Sequence, residues 1–146
     1  MIKIDKDGIF TKGSCQLPDY PLKVSHAKGT FLAQSESNII CGGDPPTNEC
    51  YKFDVDEWKK MPSMKTARYY HGMTSTNDEI FVCGGYDAIL FYGGYGYTSR
   101  CEKFENGKWI SIQSLPTKLS NHCMITINNE TILSIGGKDG DSEVRR

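Results

Sequence analysis

Residues 68–85 read Arg-Tyr-Tyr-His-Gly-Met-Thr-Ser-Thr-Asn-Asp-Glu-Ile-Phe-Val-Cys-Gly-Gly, and residues 101–116 read Cys-Glu-Lys-Phe-Glu-Asn-Gly-Lys-Trp-Ile-Ser-Ile-Gln-Ser-Leu-Pro. Short apolar runs alternate here with turn residues such as the Asn-Gly pair at 106–107. Runs of this length, bounded by Gly, Asn and Asp, are typical of strands joined by tight turns. The stretch from Arg68 to Pro116 therefore predicts one antiparallel meander of four strands.

The same order of features occurs on both sides of this stretch. Double glycines end at residues 43, 85 and 137, which gives spacings of 42 and 52 residues. Four short strands per unit and a period near 50 residues are typical of β-propellers. We predict an all-β fold with no substantial helix, because no stretch follows a 3.6-residue period. The predicted parts are two strands, two four-stranded units and an incomplete unit: residues 1–18, 26–62, 71–116 and 122–146.

These residues resemble the kelch-repeat family over essentially the whole chain. The resemblance is carried by the double glycines, by the aromatic residues that follow them, and by the bridge at residues 61–72. It implies a partial kelch-type β-propeller whose blades are four-stranded antiparallel meanders. It also implies structural roles for the glycine pairs and for one tryptophan in each complete unit: Gly42, Gly43, Gly84, Gly85, Gly136, Gly137, Trp58 and Trp109.

The unit at residues 71–116 is longer than its neighbours and carries an insert near residues 86–94. Its Gly93-Gly94 repeats Gly84-Gly85 nine residues later. In one interpretation the first pair ends the second strand, and the insert lies in the loop before the third strand. In the alternative the second pair ends that strand and the insert lies earlier.

Three histidines, His26, His71 and His122, are interpreted as equivalent residues just before the first strand of three units. A residue that recurs at one repeat position is most simply structural. Because no Asp or Glu has the spacing of a metal motif relative to them, we predict neither a metal nor a cofactor.

The cysteines also follow the repeat. Cys41 and Cys83 precede a double glycine, while Cys50 and Cys101 begin the next strand. Ile and Val hold these positions in the last unit, which indicates apolar, buried sites with reduced thiols. Because the two positions lie on adjacent strands, disulfides Cys41–Cys50 and Cys83–Cys101 are the alternative. Two further cysteines, Cys15 and Cys123, have no evident partner.

The bulk composition argues against several classes of function. Lys and Arg number 17 against 18 Asp and Glu, so no basic excess favours nucleic acid. No apolar run approaches the roughly 18 residues of a membrane span. The charged start, with no apolar signal core, predicts a cytoplasmic protein if Met1 is the true start. The sequon at Asn129 would matter only in a secreted protein.

The kelch resemblance implies a protein–protein interaction module, because kelch propellers serve as substrate adaptors of cullin-type ubiquitin ligases. Those propellers bind peptides on the face formed by the loops between second and third strands and between blades. Lys23 and Lys118 occupy linkers comparable to that of Arg68, so a ring of arginines for acidic peptides is not evident. The predicted partner-binding residues lie on one linker and on the aromatic insert: Arg68, Tyr69, Tyr86, Asp87, Tyr92, Tyr95 and Tyr97.

Two other functions are kept as alternatives. One is a cytoskeletal, actin-associated kelch protein. The other is a copper enzyme of the galactose oxidase type, which requires two Tyr, two His and a Cys around one metal. The histidines here come one per unit, so we predict no catalytic activity and a protein or peptide as partner.

The number of predicted units is too small for a closed propeller, which has about four to eight blades. The two end pieces could join into one blade, but that ring would contain only three. We expect a fragment of a propeller of about six blades, with a ring made from two chains as the alternative. An open arc of blades is expected to self-associate.

Overall fold

The computed structural model describes residues 18–89 and 94–139, together with the short segments 3–4, 10–11 and 142–143. In these residues the regular structure is β-strand, apart from one turn of 3-10 helix at Ala33–Ser35. The prediction of an all-β fold is therefore confirmed.

The first sheet is a four-stranded antiparallel meander whose strands are hydrogen-bonded in chain order. Its register places Cys41 opposite Cys50 and Phe53 opposite Trp58. Alternate residues of its second strand, including Ile39 and Cys41, are buried at 1% and 0% exposure. The strands are β3 (Lys28–Leu32), β4 (Ser37–Cys41), β5 (Cys50–Asp54) and β6 (Glu57–Met61).

The second sheet repeats this arrangement. The turn at Asn106-Gly107 has positive φ at both residues, 49° and 78°, as a two-residue hairpin of the primed type requires. The sheet's four strands again pair in chain order. They are β8 (Gly72–Ser75), β9 (Ile80–Cys83), β12 (Cys101–Glu105) and β13 (Lys108–Ile112).

The insert in the second unit forms a hairpin between the second and third strands of that sheet. Because Gly84-Gly85 follows directly on β9, the first double glycine ends the second strand. The inserted hairpin pairs with a short strand of the preceding linker to give a three-stranded sheet. Its members are β7 (Arg68–Tyr69), β10 (Tyr86–Ile89) and β11 (Gly94–Tyr97).

The remaining strands of the described residues form pairs. One is the third hairpin, β14 (Cys123–Ile127) with β15 (Thr131–Ile135), whose turn holds Asn128 and Asn129 at φ of 53° and 58°. The others are short: β1 (Lys3–Ile4) with β2 (Phe10–Thr11), and β16 (Lys138–Asp139) with β17 (Ser142–Glu143).

The sheets lie side by side, with their first strands β3, β8 and β14 as neighbours. Hydroxyl groups join them. The Thr30 and Ser75 hydroxyls are 2.9 Å apart, and those of Thr74 and Thr126 are 3.0 Å apart. One apolar core fills the space between the first and second sheets, and a smaller one lies between the second sheet and the third hairpin.

The double glycines of the first two units allow the backbone of the next unit's linker to approach closely. Gly42 and Gly84 have φ of 67° and 66°, and a Cβ on either would collide with a backbone oxygen of that linker. The second glycine of each pair donates its N–H to the same linker residue, at 3.0 Å from Gly43 to Arg68 and 2.7 Å from Gly85 to Leu119. Glycine is needed because it tolerates both the positive φ and the close approach.

Each tryptophan joins its sheet to the end of the unit before it. Trp109 Nε1 donates to the carbonyl oxygen of Pro62 at 2.9 Å. Trp58 Nε1 donates in the same way to Pro18 at 3.1 Å. Pro18 therefore stands to Trp58 as Pro62 stands to Trp109.

Both cysteine pairs are closed as disulfides, which corrects the expectation of reduced thiols. Cys41 is bonded to Cys50 and Cys83 to Cys101, with Cα atoms 4.2 Å apart in each pair. The physical reason is register, because residues directly opposite on antiparallel strands bring their side chains together on one face. Cys123 is free and exposed, while Cys15 lies outside the described residues.

Candidate interaction face

The inserted hairpin brings three of the predicted tyrosines together. In the three-stranded sheet Tyr86 lies opposite Tyr69 on one side and opposite Tyr97 on the other. The Tyr69 and Tyr86 rings are stacked, with centroids 5.1 Å apart and planes 18° apart. The centroids of Tyr86 and Tyr97 are 4.4 Å apart.

Two residues that were not among the predicted partner-binding residues complete this group. The Tyr70 ring centroid lies 5.3 Å from that of Tyr69 and 6.0 Å from that of Tyr86. The Tyr70 hydroxyl is 2.8 Å from His26 Nε2 on the preceding linker. We call Tyr69, Tyr70, Tyr86, Tyr97 and His26 the tyrosine cluster; its tyrosines are half-buried and His26 is exposed.

The cluster is aromatic and uncharged on its tyrosine side. A hydrogen bond with Tyr97 and partial burial raise the pKa of Tyr86 to about 12, so this phenol stays neutral at physiological pH. Asp87, which was predicted to face a partner, is 8% exposed and pairs with Arg100 at 3.2 Å. The guanidinium of Arg100 is exposed, so it is the charged group that solvent reaches at this pair.

Arg68 does not face a ligand, and this corrects its predicted role. Its side chain is fully buried. Nη2 donates to Glu102 Oε1 at 2.7 Å, and Nη1 donates to the carbonyl oxygens of Gly84 and Arg100 at 2.9 and 3.0 Å. The guanidinium therefore ties the linker to the second sheet.

Glu102 completes the arrangement around Arg68. Its carboxylate accepts hydrogen bonds from the backbone N–H groups of Lys65 and Thr66, at 2.6 and 3.1 Å. A buried charge is tolerated when it is paired and hydrogen-bonded, and both ions here are, with Arg68 Nε the one guanidinium nitrogen that has no partner among the described residues. The pair fixes the path of the linker that leads into Tyr69.

Two predicted partner-binding residues cannot be placed fully. Tyr92 lies outside the described residues. The backbone of Tyr95 pairs with Ala88 in the inserted hairpin, and its side chain is outside the described set.

The linker residues Lys23 and Lys118 do not hold the position of Arg68. Val24 and Leu119, each one residue further along the chain, hold the equivalent positions.

The three histidines are not equivalent, which corrects the sequence interpretation. His26, Tyr70 and Asn121 share a left-handed backbone, with φ of 55°, 55° and 54°. Backbone N–H groups join them in series, from Tyr70 to His26 and from Asn121 to Tyr70. His26 is therefore the counterpart of Tyr70 and of the exposed Asn121, and not of the buried His71. The alignment by histidine identity is therefore wrong by one residue at His26, because the left-handed residue of each linker marks the equivalent positions.

Ala27 holds the place that His71 and His122 occupy in the later units. Both of these imidazoles are buried, at 0% and 2% exposure, and neither ring has a hydrogen-bond partner within the part of the chain described. The His71 ring packs against Gly42 of the unit before it, and the His122 ring packs against Gly84. Both histidines therefore fill space between units.

The buried histidines make stability depend on pH. Burial, with the charge of Arg68, lowers the pKa of His71 well below its usual 6.5, and burial lowers the pKa of His122 to about 4. Between pH 6.5 and 4 the unfolded chain binds protons that the folded chain does not. We expect the free energy of unfolding to fall as pH drops through this window, by up to about 1.4 kcal/mol per pH unit for each histidine.

Denaturant unfolding at pH 7, 6 and 5 measures this dependence. In the variant His122→Gln, residue 122 cannot titrate. The free energy of unfolding should therefore fall less steeply with decreasing pH than in the parent chain, by the contribution of one histidine. An identical slope in the variant and the parent chain would show that His122 is not held neutral.

The described residues contain no group of three or more His, Cys, Asp or Glu side chains that could hold a metal ion. Nor does any helix there have the length and apolar character needed to cross a membrane.

Comparison with solved structures gives the class of the fold. The structure of YjhT superposes with a TM-score of 0.73 over 84% of this chain and 37% of the other, at 17% sequence identity. At that identity the likeness concerns the fold alone. Together with the side-by-side four-stranded sheets, it places this chain among the β-propeller repeat proteins.

Comparison of sequences gives the family. Residues 67–116 match the model of the Kelch motif. Kelch-like protein 23 of Homo sapiens is 28% identical over 92 residues, 62% of this chain. Beta-scruin of Limulus polyphemus is 32% identical over 84 residues, 58% of this chain. Over these residues the chain is therefore similar to kelch-repeat proteins, and residues 67–116 match one Kelch motif.

The match covers only a small part of each relative. It spans 16% of Kelch-like protein 23 and 9% of beta-scruin. Most of each relative therefore lies outside the matched stretch.

Proposed function

We propose that this chain is a protein-interaction module and that the tyrosine cluster is its contact surface. The observation that carries the proposal is the pairing of the inserted hairpin with Arg68–Tyr69, which assembles rings from three separate segments. At the same place the first unit has only the bridge between Ser25 and Asp44, and the third unit has the short pair β16–β17, so the tyrosines and not the hairpin distinguish the second unit.

The chemistry of the cluster suits protein recognition. Tyrosine offers a large rigid surface with a polar hydroxyl and loses little conformational entropy on binding. It is enriched among the residues that dominate interface energies. The neutral phenols and the neighbouring Arg100 guanidinium would favour an apolar or aromatic segment of the partner flanked by an acidic residue.

Affinity purification followed by mass spectrometry tests this proposal. Partners recovered with the parent chain should be lost with the double variant Tyr69→Ser, Tyr97→Ser, and the dissociation constant of an identified partner should rise at least tenfold. Tyr51→Ser is the matched control, because Tyr51 is a half-buried tyrosine of the first sheet outside the cluster. Equal binding by all three chains would contradict the proposal.

The more specific roles belong to this proposal. The kelch resemblance favours a substrate adaptor of a cullin-type ubiquitin ligase, which would need regions beyond the shared repeats. Association with actin filaments is the second candidate. Co-sedimentation with filaments separates the two, because an adaptor would remain in the supernatant.

A cytoplasmic location is likewise part of the proposal. The two disulfides bear on it, because such bonds persist mainly in oxidising compartments. In the cytosol the same cysteines would be reduced thiols. Reduced Cys41 and Cys50 in the cell would therefore support a cytoplasmic location, and a disulfide between them would contradict it.

A further inference from the structure

The turn of the third hairpin carries a glycosylation sequon that lies outside the tyrosine cluster. Asn129-Glu130-Thr131 has the pattern Asn-x-Ser/Thr, and no other asparagine of the sequence has it. Asn129 and Glu130 lie between β14 and β15, and Thr131 begins β15. All three residues are exposed, as is Asn128 before them. An N-linked glycan is bulky and solubilising, and a surface turn of this kind accommodates it.

The backbone of this turn suits an asparagine. Asn129 has φ of 58°, in the left-handed region that Asn tolerates better than most residues. The turn is closed by the backbone N–H of Glu130, which donates to the carbonyl oxygen of Ile127 at 3.3 Å. Asn129 therefore sits at the tip of an ordered hairpin, where a sugar on its side chain would meet no strand of the sheet.

The corresponding turn of the second unit is exposed as well. It is formed by Asn77 and Asp78, between β8 and β9, and both residues are exposed. This holds although the third hairpin packs beside that sheet, with β14 next to β8. A neighbouring unit therefore leaves the turn open to solvent, and the exposure of Asn129 follows from its place in the hairpin.

The cysteines supply the second, independent observation. The disulfides Cys41–Cys50 and Cys83–Cys101 are closed, and each of these four residues is at most 5% exposed. Disulfides form and persist mainly in secreted proteins and in the lumen of the secretory route. A sequon carries a glycan in proteins of the same route. The closed disulfides and the exposed sequon therefore point to one compartment.

The distribution of the cysteines along the chain favours disulfides over apolar packing. Two units have cysteine at both positions, and the third unit has Ile and Val there, so no unit has a single cysteine at these places. A residue that served only as a small apolar group could occur alone. The pairing also holds at sequence separations of 9 and 18, across loops of different length.

We propose that Asn129 carries an N-linked glycan and that the chain folds in an oxidising secretory compartment. A lipid-diphosphate-linked oligosaccharide is the donor. The bond from its sugar C1 to the diphosphate oxygen breaks, a bond from C1 to Asn129 Nδ2 forms, and Nδ2 loses one proton. Each cysteine pair gives two electrons and two protons to a thiol oxidant of that compartment. The cytoplasmic location is the competing account, which a bare Asn129 with reduced cysteines would support.

The glycan and the tyrosine cluster are independent of each other. Asn121, just before β14, donates its backbone N–H to the carbonyl oxygen of Tyr70 at 2.8 Å. Asn129 follows the opposite end of β14, a strand of 5 residues. A strand of this length spans roughly 15 Å. The glycan would therefore leave the proposed contact surface accessible, and the failure of either proposal would not decide the other.

Mass spectrometry of the protein isolated from the cells that produce it tests the proposal. Peptide-N-glycosidase converts a glycosylated asparagine into aspartate, so digestion in oxygen-18 water should add the label at Asn129. Free thiols alkylated before digestion should not include Cys41 or Cys83. An Asn129 without glycan would overturn the proposed modification. Alkylated Cys41 and Cys83 would overturn the proposed compartment.

Variants secreted from cultured animal cells behind a cleavable leader show which residues the modification requires. Asn129→Gln and Thr131→Ala should each abolish the glycan. Thr131→Ser should keep it, because serine also completes the sequon. Asn128→Gln is the matched control, because Asn128 lies in the same turn but outside the sequon, and it should keep the glycan. A parent chain secreted without a glycan, or a glycan that survives in Asn129→Gln, would contradict the proposal.

Discussion

Replacing Arg68 with methionine will lower the free energy of unfolding by about 3–5 kcal/mol, because it leaves Glu102 as a buried charge without its partner. Both side chains are at most 2% exposed, and Arg68 also supplies the hydrogen bonds to Gly84 and Arg100. Denaturant unfolding of the variant and the parent chain at pH 7 measures the loss.

An exposed ion pair of the same length provides the control. Lys60 and Glu49 also lie 2.7 Å apart, but the lysine side chain is 55% exposed. Lys60→Met should cost less than about 1 kcal/mol, because solvent screens the pair. Equal losses in the two variants would mean that Arg68 is accessible to water, as a ligand-facing residue would be.

Replacing Gly84 with alanine will destabilise the protein by about 3–4 kcal/mol, since the strain of a left-handed alanine adds to a steric collision. The new Cβ would collide with the backbone oxygen of Leu119 and lie 2.8 Å from the His122 ring. The second sheet and the linker to the third hairpin would have to separate. Thermal and denaturant unfolding measure the effect.

Gly42→Ala makes the same change between the first and second sheets, where the new Cβ would collide with the backbone oxygen of Arg68. A comparable loss is expected there. A loss at one position only would show that the two contacts between units differ in kind.

Much of the fold follows from local sequence signals. Each of these signals occupies only a few residues: the strand residues, the Asn-Gly turn at 106–107 and the double glycines. The strand and double-glycine signals recur in the same order in successive units. The insert could not be placed in this way, because Gly84-Gly85 and Gly93-Gly94 are the same local signal. Pairing of β9 with β12 settles it, and that pairing joins residues 18 or more positions apart.

The candidate site was less predictable because it depends on contacts between units. An arginine in a linker is ordinarily exposed. Arg68 is buried because Glu102, 34 residues later, lies beside it. The sequence shows Glu102 as an acidic residue of a predicted strand, but no local signal indicates that it contacts Arg68. Tyr86 and Tyr97 were found from the aromatic insert, whereas Tyr70 was missed beside Tyr69.

A shift of one residue in the alignment of the linkers changes which histidines are equivalent. His26 and His71 were aligned by identity, but the left-handed residue in each linker sets the true phase. That conformation is stabilised by backbone bonds between neighbouring units, which no single linker encodes. The exposed His26 joins the tyrosine cluster as a result, and the buried His71 and His122 do not.

In the first and second units the double glycine packs against the linker of the next unit, and one comparison tests this packing most directly. Gly84 and Gly107 have similar left-handed φ, 66° and 78°, but a Cβ on Gly107 would meet no atom within 4 Å. Gly107→Ala should therefore cost only the strain of about 1–2 kcal/mol. We predict that Gly84→Ala lowers the free energy of unfolding by about 2 kcal/mol more than Gly107→Ala does, from the added steric term. Equal losses in the two variants would contradict the packing of units described for this chain.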